Sequence, residues 1–422
     1  MPTIPPWLRP GLLAAALLLA TGAAALTALI LQGGIAQAQY LGDAYLWRVL
    51  RFTFWQATLA TTLAVIPAVF LARALARRRF PGRTLLLRFA TLTLALPTLV
   101  AISGIIGVYG KQGWLAHLWQ AFGGQWTFKP YGLTGILLVH QFFALPLATR
   151  LLLNTLEHIP GEQRQLAAQL GVRGWPFFRH VEWPWLRRQL PPVAALVYML
   201  CFTSFSTILI LGGGPKATTI ELAIYQALTF TYQPDRAALL ALVQITCCLS
   251  LVLIAQMLAK NLNTVPGRLH PWHDTPRGWW PRLADTALIG AMLLYLLPPL
   301  IAVILGGLNR HLPEVLRDPA LWRAVITSLR IALPAGLLSI TLCLMLLWSS
   351  RELRLRGRPL AANLLETSGM INLAMPGIVL ATGIFLLLRR TTGLPAHADA
   401  IIIGCNSLMA IPYTLKILAA PM

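Results

Sequence analysis

The sequence predicts an all-α integral membrane protein, a polytopic helical bundle made of two tandem parallel repeats. Three observations support this prediction: an apolar composition, long uncharged runs, and motifs that recur in the same order in both halves. The 422 residues are 57% hydrophobic and 11% charged, with a mean hydropathy of +0.68, whereas a soluble domain carries about 25% charged residues. A water-soluble core cannot hold this much apolar chain, so part of the chain is expected to lie in a bilayer.

The uncharged runs supply the predicted membrane spans. Residues 11–31, 89–109 and 237–258 each reach the ~20 residues with which a helix crosses ~30 Å of hydrocarbon. Backbone polar groups in a bilayer must be satisfied within the segment, so these runs are predicted to be helices. About six spans fall in a first repeat, residues 1–260, and about four in a second repeat, residues 284–422. The segment between the repeats, 261–283, is predicted to be a cytoplasmic linker.

The basic residues lie between the spans and set the predicted orientation. The formal net charge is +21, and arginines concentrate at 73–88 and 351–358. By the positive-inside rule both loops face the cytoplasm, which also places the N-terminus there. Charge spread over short loops argues against nucleic-acid binding, which uses one basic face. Five cysteines in apolar runs show no metal or disulfide spacing, and the P-loop spacing is absent. We therefore expect no metal, no cofactor and no catalytic residues.

An internal repeat relates the two halves at a separation of about 275 residues. The sequence LALP at 94–97, followed by Gly104, recurs as LAMP at 373–376, followed by Gly383. Matched elements follow the same number of crossings, which predicts a parallel repeat with the substrate path between the halves. The first repeat contains residues from 157 onward that have no counterpart in the second. We therefore expect a C-terminally truncated form of a longer protein, with an asymmetric protein as the alternative.

The loop at 154–190 is too long for a simple helical connection, which predicts a functional segment. Pro160 suits the first turn of a helix and Gly171 suits a left-handed residue that ends one. Between them, an apolar face is supplied by Leu166, Ala167, Ala168 and Leu170. The pattern predicts a short amphipathic helix beside the membrane.

The run QLAAQLG at 165–171 and the residues that follow it resemble the EAA loop of binding-protein-dependent ATP-binding cassette (ABC) importer permeases, which have the type I, MetI-like fold. Two positions depart from the family pattern: its initial Glu is Gln165 here, and its next Ala is Leu166. In that family the loop couples the permease to its ATPase. The resemblance implies that coupling is carried by Arg164, Gln165, Leu166, Ala167, Ala168, Gly171, Phe178, Val181 and Pro184.

Longer runs, at 162–171, 183–189, 211–226 and 374–383, resemble the permeases of thiamine and thiamine-pyrophosphate importers. The resemblance implies a multi-pass inner-membrane subunit that moves a small molecule by alternating access. It also implies two partners, a separate ATPase subunit acting as a dimer and a periplasmic substrate-binding protein. A ferric iron importer permease is the alternative substrate class. An ion-coupled secondary transporter is the alternative from another class, disfavoured because the predicted spans contain no Asp or Glu.

Candidate residues of the substrate path come from aromatic chemistry, because thiamine is an aromatic cation. Phe202 and Phe205 are three apart, which predicts one shared helix face. Tyr225 belongs to an aromatic cluster near the outer end of the path. Arg330 at the entrance would attract a pyrophosphate and oppose bare thiamine. These four residues are the expected substrate-path residues.

Overall fold

The computed structural model describes residues 5–33, 42–212, 214–258, 278–370, 376–388 and 398–419, and within them it is helical, without a strand. Residues 261–277 of the expected linker and 373–375 of the repeated motif lie outside this set. The α-helices in chain order are α1 (Arg9–Gly33), α2 (Ala44–Arg77), α3 (Arg83–Ala95), α4 (Thr98–Tyr109), α5 (Trp114–Ala121), α6 (Leu133–Glu157), α7 (Gly161–Gln169), α8 (Trp175–Phe177), α9 (Trp183–Phe202), α10 (Phe205–Leu211), α11 (Ile220–Thr229), α12 (Pro234–Leu258), α13 (Trp279–Gly307), α14 (Leu312–Arg317), α15 (Pro319–Leu355), α16 (Pro359–Met370), α17 (Gly377–Leu388) and α18 (Ala398–Ala419).

Many of these helices have the length and composition of membrane spans. Among the described residues, 6 helices are long and apolar enough to cross a bilayer, namely α1, α2, α6, α12, α13 and α15, and the total reaches 8 if each of two bent pairs is one span. Shorter apolar helices, α17 and part of α18, occur in the second repeat. The prediction of an all-α membrane protein is therefore confirmed.

Two predicted spans are broken rather than straight. The first breaks before Pro97, where Leu96 is extended at φ −72°, ψ 135°, because the proline ring disfavours a helical conformation in the preceding residue. The second breaks at Thr203 and Ser204, and the helices on either side are bent by 50°. Phe202 and Phe205 thus belong to two different helices, so the expectation that they share one face is wrong.

The chain forms two compact units, of which one comprises residues 1–47, 220–250 and 310–422. In this unit the first helix of the chain, α1, packs against α15, α16 and α17. The Gly11 N–H donates to Ser349 Oγ at 3.0 Å. Gly383 approaches α1 so closely that a Cβ added there would lie 2.7 Å from the Ala25 carbonyl oxygen. Leu18, Leu346 and Ile411 belong to the buried core of this unit.

The other unit comprises residues 48–219 and 251–309. Here α13 packs against α4, and a Cβ added at Gly104 would lie 2.4 Å from the Pro299 carbonyl oxygen. Near the start of α13, Asp285 is buried and pairs with Arg78, Oδ2 to Nε 2.8 Å. Asp285 is the acidic residue nearest a predicted span, and in the structure its carboxylate is neutralised by this ion pair.

Candidate functional site

The loop between α6 and α9 begins with the helix that the sequence predicted. Helix α7 starts after Pro160 and ends at Gly171, which has φ +69°. The Gly171 N–H donates to Ala168 O at 3.1 Å and the Val172 N–H donates to Ala167 O at 2.9 Å. This pair of hydrogen bonds is the Schellman arrangement, which satisfies the last carbonyls of a helix and requires a left-handed residue. The Gly171 assignment therefore has a direct structural reason.

Helix α7 presents an apolar surface that its own chain leaves uncovered. Leu166 is 58% exposed and Leu170 is 71% exposed, and Gln165 and Gln169 are also exposed. Ala167 instead is buried, and Ala168 is half-buried. The small residues thus allow α7 to pack on its own loop, while the leucines carry the exposed face.

The second half of the loop is an aromatic turn. Phe178 and Val181 lie in a π-helical turn, Phe178–Glu182, and Pro184 stands in the first turn of α9. The Phe178 ring is buried, and its centroid lies 5.1 Å from that of Trp175 and 5.8 Å from that of Trp183. Gly174, with φ +67°, supplies the bend that starts this turn. Phe178 therefore anchors the loop, and Pro184 suits a position that needs no N–H donor.

Arg73, near the end of α2, holds this turn in place. Its Nε donates to Glu182 Oε2 at 2.6 Å and its Nη2 donates to the Gly174 carbonyl at 3.0 Å. Its guanidinium carbon lies 4.4 Å from the centroid of the Phe178 ring. The side chains of Arg73 and Glu182 are 15% and 5% exposed. One guanidinium therefore neutralises a buried carboxylate, caps a backbone carbonyl and covers an aromatic face.

Two further contacts tie α7 to its neighbouring helices. Arg164 donates through Nη2 to the Leu156 carbonyl near the end of α6. Trp185 Nε1 donates to Gln163 Oε1 at 3.2 Å, which links α9 back to α7. The loop is thus a braced element, whose position is set by α2, α6 and α9 together.

Sequence reasoning missed the pair of Arg73 and Glu182. Arg73 was assigned only a topological role, with the other arginines at 73–88. The two residues are 109 positions apart, and no local pattern joins them. The available signal was chemical: Glu182 follows a run of aromatic residues, where a buried carboxylate needs a cationic partner.

The four expected substrate-path residues occupy different settings. Phe202 is 1% exposed, with its ring centroid 5.2 Å from that of Phe54 and 6.0 Å from that of Tyr198. Phe205 is half-buried at the start of α10. Phe202 is therefore a core residue in this conformation, and Phe205 is the better candidate for contact with a solute.

Tyr225 and Arg330 belong to the other compact unit. Tyr225 meets Phe230 edge to face, with ring centroids 6.0 Å apart. Arg330 is exposed, and its Nη2 lies 3.7 Å from Asp399 Oδ2. The acidic neighbour reduces the attraction of Arg330 for an anion, because the pair is closer to neutral.

A cavity of about 620 Å³ lies at the end of the second unit opposite the coupling loop. Its lining contains Lys111, Lys129 and Lys216 together with Trp55 and Tyr131, and it contains no acidic residue. Cationic and aromatic groups in one cavity suit a ligand that has both a phosphate and an aromatic ring. Within the described part of the chain, no cluster of His, Cys, Asp and Glu could hold a metal ion.

The chain is similar in sequence to known proteins. Residues 68–264, which include the whole braced loop, match the family described as binding-protein-dependent transport system inner membrane component. The chain is 62% identical over its full length to the thiamine transport system permease protein ThiP of Salmonella typhimurium, of which it covers 79%. It is likewise 62% identical to ThiP of Escherichia coli K12, again covering 79%, and 39% identical to ThiP of Haemophilus influenzae over 94% of this chain and 74% of that protein.

Such subunits work with a separate ATPase subunit and with a periplasmic binding protein that delivers the solute. The predictions of an inner-membrane location and of a transport subunit that is not itself an enzyme are confirmed. The chain belongs to the family of these relatives, the inner-membrane permease subunits of binding-protein-dependent ABC importers.

Proposed function

We propose that this permease carries thiamine and thiamine pyrophosphate across the inner membrane, by alternating access driven by an ATPase dimer. The observation that carries the proposal is the 62% identity over the whole chain to permeases named for thiamine transport. The aligned region covers the whole chain and not the coupling loop alone. The cavity is lined by three lysines and three aromatic residues, Phe52, Trp55 and Tyr131, which supports thiamine pyrophosphate as a substrate.

The coupling step is proposed to use the exposed face of α7. A groove on the ATPase would receive Leu166 and Leu170, since these side chains have apolar surface that remains in water otherwise. Arg164 and Gly171 fix the two ends of α7, and the aromatic turn with Phe178, Val181 and Pro184 returns force to α9. Gln165 stands at the rim of the same face, where the family has an acidic residue.

Docking can be tested with three variants that change charge equally. Leu166→Glu and Leu170→Glu place a carboxylate in the proposed contact, and Gln169→Glu places one on a neighbouring exposed position of the same helix. We expect the two leucine variants to lose co-purification with the ATPase subunit and the glutamine variant to keep it. Normal co-purification by both leucine variants would contradict the assignment of this face.

Substrate identity is tested by uptake of labelled thiamine in an auxotrophic host that lacks its own importer permease. The host expresses this permease with its ATPase and binding protein. We expect thiamine uptake to depend on the permease and to be competed by thiamine pyrophosphate. Dependence of ferric iron uptake, with thiamine uptake unchanged, would replace the proposed substrate by the alternative.

The three lysines of the cavity lead to a prediction that distinguishes thiamine from thiamine pyrophosphate. Changing Lys111, Lys129 and Lys216 to Gln removes three positive charges and keeps side chains of similar length. Uptake of thiamine pyrophosphate should fall more than uptake of thiamine, because only the former offers phosphate oxygens to the lysines. Equal effects on both substrates would assign the lysines another role.

A further inference from the structure

A groove with several arginines lies between α3 and α6, beside the start of the coupling loop. Its volume is about 710 Å³, and its walls come from residues 83–95 and 150–157. Three arginines and one glutamate line it: Arg83, Arg88, Arg150 and Glu157. The fixed charge of the lining is therefore three positive and one negative, a surplus of two positive charges.

The surplus belongs to two of the arginines. Arg83 is engaged, because its Nη2 lies 2.7 Å from Glu157 Oε1 and its Nε donates to the Leu75 carbonyl at 3.0 Å. Arg88 and Arg150 are exposed, and no acidic side chain of the described residues forms an ion pair with either. Two guanidinium groups that face one groove repel each other, and a shared anion removes that repulsion.

The chemistry of the lining favours a phosphate group as this anion. Guanidinium groups bind phosphate oxygens with paired hydrogen bonds, and Thr84 and Asn154 add neutral polar groups to the same wall. The wall continues with Leu87, Leu92 and Ala95. Along α3, Leu92 and Ala95 lie about 6 and 10 Å beyond Arg88, given the rise of ~1.5 Å per residue in a helix.

A soluble phosphate would gain nothing from this apolar extension, whereas an acyl chain would lie along it. Exposed apolar side chains continue on the surface of α3, where Leu85 is 55% and Phe89 is 37% exposed. We propose that the groove between α3 and α6 is a binding site for an anionic phospholipid, whose phosphate is held by Arg88 and Arg150. The site adjoins the Arg83–Glu157 pair, and through it the chain segment that enters the coupling loop.

The test measures lipid binding itself and does not depend on which solute is carried. The purified full chain in detergent is titrated with phosphatidylglycerol or with phosphatidylcholine, and bound lipid is counted by native mass spectrometry. The test variant is Arg88→Gln with Arg150→Gln. The control is Arg351→Gln with Arg358→Gln, which removes the same total charge from two exposed arginines elsewhere in the chain.

We expect the unchanged protein and the control to bind phosphatidylglycerol in preference to phosphatidylcholine. The test variant should bind phosphatidylglycerol about 30-fold more weakly, which corresponds to about 1 kcal/mol for each arginine. Arg88→Lys with Arg150→Lys, which keeps the charge, should retain part of the preference. Circular dichroism of all variants checks that the helices are intact.

Two outcomes would overturn the proposal. Equal loss of phosphatidylglycerol binding in the test and control variants would show that binding depends only on the net charge of the protein. A parallel titration with inorganic pyrophosphate separates the two sources of phosphate. Arginine-dependent binding of pyrophosphate, without any preference for phosphatidylglycerol, would make the groove a site for soluble phosphate instead.

Discussion

At the scale of single residues, Arg73 near the end of α2 shows how one positively charged side chain can hold a neighbouring loop in place. Its guanidinium contacts Glu182, the Gly174 carbonyl and the Phe178 ring. Lysine has the same charge but not the planar fork, so it cannot serve three directions at once. The loop at 154–190 is therefore held by geometry as much as by charge.

Replacing Arg73 tests this role. Arg73→Ala leaves the Glu182 carboxylate buried without its partner, which should cost on the order of 3 kcal/mol in the stability of the loop. Arg73→Lys should restore the charge and only part of the function. The complex is reconstituted with its ATPase subunit. The measured quantity is the increase in ATPase activity when substrate and binding protein are added.

Arg351→Ala is the matched control, since this exposed arginine forms no ion pair among the described residues. In the double variant Arg73→Ala with Glu182→Gln, the uncompensated charge is gone, so part of the activity should return. Full activity of Arg73→Ala alone would show that the brace is dispensable.

Gly171 gives a second prediction at this scale. Its φ of +69° lies in the left-handed region, where a residue with a Cβ loses about 1 kcal/mol. Gly171→Ala should weaken the end of α7 and lower coupled transport, while membrane insertion stays normal. Gly336→Ala is the control, because Gly336 does not have a positive φ and a Cβ added there would meet no atom within 4 Å. Equal transport by both variants would refute the requirement for this turn.

These two residues also mark how much of the site was predictable. Gly171 was found from sequence because a helix end is a local event, written in neighbouring residues. Arg73 was not, since its partner lies far along the chain and many arginines shared its loop. Leu166 and Leu170 were only partly assigned, because the direction in which α7 faces is set by its contacts with α6 and α9.

At the scale of elements, two glycines that correspond in the internal repeat make corresponding contacts. Gly104 of α4 lies against Pro299 of α13, and Gly383 of α17 lies against Ala25 of α1. In each case the first helix of one predicted repeat, α13 or α1, packs against the helix of the other repeat that follows the repeated motif, α4 or α17. The motif that identified the repeat in the sequence therefore marks a close helix crossing in each compact unit.

Adding one methyl group at these crossings tests their tightness. Gly104→Ala and Gly383→Ala place a Cβ within 2.4 Å and 2.7 Å of a backbone oxygen. Overpacking of this kind costs about 1–3 kcal/mol, so thermal unfolding in detergent should begin at a lower temperature. Gly290→Ala in α13 meets no atom within 4 Å and should be neutral or stabilising.

The outcome that would contradict the crossings is an unchanged unfolding temperature for Gly104→Ala and Gly383→Ala at one scan rate.

The two helix breaks are also features at the scale of elements. Pro97 signalled one of them in the sequence, whereas the break at Thr203 and Ser204 carries no proline. That break directly follows Phe202, which is buried against Phe54 and Tyr198, and the residue types at 203 and 204 do not signal it in the sequence.

At the scale of the whole molecule, the permease depends on a separate subunit for ATP hydrolysis. The sequence contains no P-loop, and the family assignment places ATP hydrolysis in a separate subunit. We expect the purified chain to hydrolyse no ATP, and hydrolysis to appear when the ATPase subunit is added. ATP hydrolysis that stays with the purified chain through a second column would contradict this expectation.

The helical membrane class followed from composition, and the parallel repeat stays a prediction from motif order. The packing of α1 against α17 and of α13 against α4 did not follow from the sequence. Apolar runs such as those of α1 and α13 resemble each other, and lipid-facing surfaces do not specify a partner. The information lies in a few small residues, such as Gly104 and Gly383, whose meaning appears only when both helices of a crossing are known.

The contact between α1 and the second half of the chain also has a consequence for timing during synthesis. Gly11 and its hydrogen-bond partner Ser349 are 338 residues apart. A ribosome adding ~5–20 residues per second makes Ser349 roughly 17–70 s after it makes Gly11. During that interval α1 lacks its contacts with α15, α16 and α17, and it is stable in the bilayer because its backbone is satisfied internally. Insertion and docking of α1 are thus separate events, and chaperones or proteases of the membrane can act between them.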